Sequence, residues 1–135
     1  MTQFESDYFQ KFKFSPNQIT RYFDGALRDL EIARKDKFSE VRFTYSYQAL
    51  IKAGITLIAK TGQVRVKSTT GHHVKILENM SEILQNSDIM AIGNAMRMKR
   101  NYDFYGGGES ISEKEADDYL KFVEKVFQMV QKQLR

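Results

Sequence analysis

The chain has 135 residues, with 21 Lys and Arg against 17 Asp and Glu, a net charge of +4, one Pro and no Cys. That length fits one domain able to bury its own core, and the missing cysteine excludes disulfides and thiolate metal sites. No apolar run approaches the roughly 20 residues that span a bilayer, and residues 1–14 lack the apolar centre of a signal peptide, so a soluble, cytoplasmic chain without a membrane role is expected.

Residues 1–14 read as an arm. Phe4, Tyr8, Phe9, Phe12 and Phe14 alternate there with polar residues and form no helical stripe. Rings this dense call for burial, on the chain's own bundle or on a partner. Residues 15–135 form the domain proper. Ser15-Pro16-Asn17-Gln18 is a helix start, with Ser as N-cap, Pro at the first helical position and Gln three residues after the cap. Ile19, Tyr22, Phe23, Ala26, Leu27, Leu30 and Ala33 then share one face. A second helix is expected over 39–60. Val41, Tyr45, Leu50, Ile51, Ala53, Ile55, Leu57 and Ile58 make it apolar nearly all round, the mark of a buried helix. Gly54 inside it costs about 1 kcal/mol relative to Ala and points to a close helix–helix approach. Thr61-Gly62 is its expected stop.

Residues 63–70 are a polar, basic connection. Gly71-His72-His73 opens a third helix carrying Val74, Ile76, Leu77, Met80, Ile83 and Leu84. Asn86-Ser87-Asp88 is a turn and cap. A fourth helix follows, with Ile89, Met90, Ile92, Met96 and Met98 inward. It is expected to end near Asn101, because Gly106-Gly107-Gly108 cannot continue it cheaply and suits a flexible reversal. Ser112-Glu113-Lys114-Glu115 is a capping box for the last helix, whose Ala116, Tyr119, Leu120, Val123, Val126, Phe127, Val130 and Leu134 repeat at helical spacing. No strand alternation is visible. The expected fold is all-α, an up-down antiparallel bundle of about five helices.

The positive charge is concentrated mid-chain: residues 52–101 hold eight Lys and Arg against three acids. In an up-down bundle the end of helix 2, the start of helix 3 and the end of helix 4 meet. That would gather Arg65, Lys67, His72, His73, Arg97, Lys99, Arg100 and Tyr105 around a helix N-terminus, whose free amides and partial positive charge attract anions. Arg97 and Arg100 can share a helix face, and a guanidinium fork matches phosphate. Tyr102, Phe104 and Tyr105 offer rings for base stacking. The plainer alternative is a helix end neutralised by its own cations, with the aromatics packed on the core. Two His without a third ligand make no metal site. The triple glycine follows a helix and lacks the context of a phosphate loop, and no cofactor is expected.

Three features occur in a telling order: the helix segment Tyr45-Ser-Tyr-Gln-Ala-Leu-Ile-Lys-Ala-Gly, then Gly71-His72-His73, then Arg97-Met-Lys-Arg-Asn-Tyr-Asp-Phe-Tyr105. With the long last helix, residues 16–134 resemble the HEPN superfamily of nucleotide-binding and ribonuclease domains. The resemblance implies a homodimer whose Arg-Asn segments face one cleft. Active members carry Arg, a short spacer and His, and cleave RNA without metal. Members often accompany nucleotidyltransferases in toxin–antitoxin or defence modules. Carried onto this chain, Arg97, Lys99, Arg100 and Asn101 are the nucleotide- or phosphate-binding candidates, Arg100 and Tyr105 the catalytic positions, and His72 and His73 accessory candidates. Tyr105 stands where active members have His. With a pKa near 10, Tyr is a poor general base at neutral pH, where His is suited. Three expectations follow: a dimeric module binding nucleotide or RNA phosphate without efficient catalysis, a metal-independent endoribonuclease, or an interaction partner of a nucleotidyltransferase that works through the aromatic arm.

Overall fold

Two capping boxes set the starts of the outer helices. Ser15 Oγ accepts from the Gln18 amide at 3.2 Å while Gln18 Oε1 accepts from the Ser15 amide at 2.8 Å, and α1 (Pro16–Lys35) follows. The same reciprocal pair joins Ser112 and Glu115 ahead of α5 (Glu113–Leu134). Between them lie α2 (Ser39–Gly62), α3 (His72–Leu84) and α4 (Ser87–Gly106). The computed structural model describes residues 3–106 and 111–135, and of residues 103–106 the backbone only. The fold is an all-α helical bundle, and no described helix is long and apolar enough to cross a membrane.

The helix expected to be buried is the central one. Tyr47, Leu50, Ala53, Leu57 and Ile58 of α2 are almost fully enclosed, and α1, α5 and α3 pack around it. Phe43 of α2 meets Tyr119 of α5, and Phe23 of α1 meets Phe127 of α5. Polar clamps ring these contacts: Arg42 with Asp117, and Arg34 with Glu124 at 2.8 Å. The close approach signalled by Gly54 is to α3, where an added Cβ would sit 2.5 Å from Met80 Sδ and 2.6 Å from Ile76 Cγ2. Gly93 of α4 receives Leu77 from the opposite side in the same way.

Several expectations need correcting. Two short strands exist: β1 (Phe9–Lys11) and β2 (Val64–Val66) pair antiparallel, with Gln10 opposite Arg65. The arm thus packs on its own chain, and Phe9 and Phe14 are buried. α2 ends at Thr61-Gly62 as expected, with Gly62 its last residue under the Phe4 ring, but the left-handed cap is Gln63 at φ 50° and not a glycine. That conformation costs a non-glycine residue roughly 1–2 kcal/mol. It is offset by two bonds to the arm, from the Phe12 amide to the Gln63 carbonyl at 3.0 Å and from the Phe14 amide to Gln63 Oε1 at 3.2 Å. α4 passes Asn101 and reaches Gly106, because 101–105 contain no helix breaker. The reversal expected at Gly107 and Gly108 lies outside the described residues. Met98 faces outward at 57% exposure, and Tyr22 and Leu27 lie at the margin of their face rather than in the core.

Candidate functional site

The path from β2 to α3 decides what the site contains. After Val66 the chain is held against the arm, by the Lys67 amide on the Tyr8 carbonyl at 2.7 Å and Lys67 Nζ on the Ser6 carbonyl at 2.8 Å. It then turns at Gly71, whose φ of 83° suits glycine. α3 consequently begins beside the middle of α2, with His73 Nδ1 2.8 Å from the Tyr47 hydroxyl. The end of α2 therefore does not join the site; its middle does. Arg65 and Lys67 are drawn away with the sheet. Arg65 Nε donates to Gln10 Oε1 at 3.0 Å, and its guanidinium lies over the Phe12 ring.

Five of the expected residues do come together. His72, His73, Arg97, Arg100 and Asn101, with Thr69, Thr70, Gly71 and Val74, line a surface hollow of about 240 Å³. Lys99 is not among them and pairs with Glu115 of α5 at 3.2 Å. Tyr105 belongs to the last turn of α4, but its side chain is outside the described set. Among the described residues no carboxylate lines the hollow. Among the described residues neither Arg97 nor Arg100 has an acidic partner within 4.0 Å. Arg97 is aimed by its Nε bond to Asn94 Oδ1 at 2.9 Å, leaving its terminal nitrogens for other partners. The Arg100 guanidinium sits 5.6 Å from the Tyr47 ring centre, within cation–π range. The N-terminus of α3 has no side-chain cap; the His72 amide donates to the Thr69 carbonyl at 3.1 Å, and the next amides, of His73 and Val74, add donors to the same hollow.

The two histidines differ in kind. His72 Nδ1 lies 2.6 Å from the Thr69 carbonyl. A carbonyl only accepts, so Nδ1 carries a proton, and in the uncharged ring the lone pair is on Nε2. His73 has the opposite arrangement. Burial, then His72, Arg100 and Arg97, push its pKa down to about 4, so it is neutral at pH 7. Burial raises the Tyr47 phenol to about 12 despite the two arginines, so that hydroxyl keeps its proton. Tyr47 is 1% exposed and His73 is its one hydrogen-bond partner among the described residues. A buried hydroxyl without an acceptor is costly. Tyr47 therefore donates to Nδ1, and His73 holds its own proton on Nε2. The His72 and His73 rings stand edge to face, 4.5 Å apart, His72 offering an acceptor in its uncharged form and His73 a donor.

A second hollow, of about 220 Å³, lies along α2 and shares His73 and Arg100 with the first; Tyr47, Gln48, Ile51, Lys52 and Ile55 complete it. Among the described residues no group of three His, Cys, Asp or Glu is placed to hold a metal ion. No family model, curated protein or solved structure matches the chain. Sequence reasoning did not assign Tyr47, Thr69 and Thr70 to the site. For Tyr47 a signal existed: a phenol in the middle of a helix apolar nearly all round needs a polar partner for its hydroxyl.

Proposed function

We propose that this chain is a HEPN-type, homodimeric, cytoplasmic module that binds phosphate groups of nucleotide or RNA in the hollow between α3 and α4. One observation carries this reading: two arginines that have no acidic partner among the described residues converge with a helix N-terminus lacking a side-chain cap on a hollow that no described carboxylate lines. Guanidinium and backbone amide donors in that arrangement suit a tetrahedral oxyanion. Neutral His73 adds a donor through Nε2, and Asn101 adds an amide at the rim. The homodimer draws support from the outer face of α4, where Ala91, Ala95, Met98 and Tyr102 are exposed.

The test is RNA and nucleotide binding by an Arg97→Ala, Arg100→Ala double variant at two salt concentrations. Affinity is expected to fall at least tenfold, and the salt dependence to flatten, because each phosphate contact contributes a slope of about 0.7 on a single strand. Unchanged affinity would remove the reading.

A second reading rests on His72. Its free Nε2 lone pair beside Arg100 is the pairing a metal-independent endoribonuclease uses, with Arg on the phosphate and His taking the 2′-hydroxyl proton. Incubation with RNA in EDTA separates the two. Cleavage lost in His72→Ala and retained in Lys99→Ala supports turnover; intact RNA leaves the binding module.

A further inference from the structure

The hollow along α2 differs in chemistry from the anion pocket it adjoins. Gln48, Ile51, Lys52 and Ile55 stand at i, i+3, i+4 and i+7 on one face of α2, a strip about 10 Å long at 1.5 Å per residue. Ile51 and Ile55 give it apolar walls. Gln48 contributes one amide carrying both a donor and an acceptor. Lys52, the strip's own cation, is committed elsewhere: its Nζ lies 2.7 Å from the carboxylate of Asp29, a residue 1% exposed. The strip therefore offers isoleucine side chains, one neutral amide and a cation already paired with Asp29, while the adjoining pocket holds two arginines with no described acidic partner. Arg100 and His73 form the wall between them and belong to both.

A free phosphate would use one hollow and leave the other to water. A ligand that joins an oxyanion to a flat, partly apolar group would use both. We propose that the α2 hollow is a base subsite, so that the ligand is a nucleoside monophosphate unit, free or within an RNA strand. Its phosphate lies with Arg97 and Arg100, its base lies against Ile51 and Ile55, and Gln48 reads the base edge. This rests on the phosphate reading of the neighbouring pocket. It adds that the base is bound and not merely tolerated, and it makes Gln48 a specificity residue.

Titration of the full chain with inorganic phosphate, ribose 5-phosphate, adenosine 5′-monophosphate and a six-nucleotide RNA tests it. The nucleotide is expected to bind about tenfold tighter than ribose 5-phosphate, the effect of burying roughly 60 Å² of apolar surface. Gln48→Ala and Ile55→Ser, at half-buried positions, are expected to erase that advantage and leave ribose 5-phosphate affinity unchanged. Equal affinity of the wild-type chain for nucleotide and sugar phosphate overturns the base subsite while sparing the phosphate reading. Binding that Arg97→Ala, Arg100→Ala does not weaken overturns both. Either a tighter or an equal affinity for the RNA supports the subsite once the nucleotide advantage is present, and the ratio distinguishes strand from free nucleotide.

Discussion

At the scale of single residues, the Tyr47–His73 hydrogen bond decides what the pocket offers. A donor hydroxyl on Nδ1 makes His73 a second donor beside the arginines. The expected signature is an Nε2–H tautomer in nitrogen-15 spectra of His73 at pH 7, converted to a mixture by Tyr47→Phe, at a stability cost of about 1 kcal/mol. A wild-type Nδ1–H tautomer would contradict the assignment. The same imidazole makes stability depend on pH. Unfolded His73 takes a proton near 6.5 and the folded residue near 4. Between those values the unfolded chain holds more protons, so this contribution is complete above 6.5 and is lost as pH falls toward 4. His73→Gln should flatten the fall in urea midpoint across that window, and an unchanged pH profile would assign the acid lability to other groups.

At the scale of elements, two glycines set how closely α3 approaches its neighbours. Gly54 of α2 and Gly93 of α4 receive Met80, Ile76 and Leu77 with no room for a methyl group. Gly54→Ala should gain about 1 kcal/mol of helix propensity and lose roughly 1–3 kcal/mol to overpacking. The net expectation is a lower melting temperature, and, because α3 carries His72 and His73, weaker phosphate binding. A variant more stable than wild type would mean that α3 shifts freely. The helices were legible where local chemistry writes them: Ser15 to Gln18 and Ser112 to Glu115 state their own caps, and the apolar α2 states its own burial. The strands were not, because Phe-Gln-Lys and Val-Arg-Val are too short for alternation to register and exist through pairing with each other. Gln63 was hidden for a similar reason: its left-handed backbone is supported by the arm, far away in sequence. Arg97, Arg100, Asn101, His72 and His73 were legible as site candidates from charge and order along the chain. Tyr47 and the exclusion of Arg65 and Lys67 depend on where the 67–71 return delivers α3, which composition does not encode.

At the scale of the whole molecule, the bundle leaves one helix face uncovered beside its cationic pocket. Ala91, Ala95, Met98 and Tyr102 are exposed along α4 at spacings of four, three and four, with Met98 at 57% and Tyr102 at 65%. That rhythm is the seam by which two helices pack side by side. Small residues at one end and large ones at the other make it self-complementary in an antiparallel pair. Tyr102 lies two residues from Arg100, so pairing through this face would bring two cationic pockets toward one axis. A homodimer would then hold one RNA strand at two points, and linked sites bind a shared strand more tightly than either site alone. The expected outcome is a dimer in sedimentation velocity that Met98→Glu, Tyr102→Glu converts to a folded monomer, since both side chains lie outside the core. That monomer should keep its affinity for a mononucleotide and lose at least tenfold in affinity for RNA long enough to reach both pockets. A monomeric wild-type chain would remove the paired sites, and a monomeric variant with undiminished RNA affinity would leave each cationic pocket acting alone.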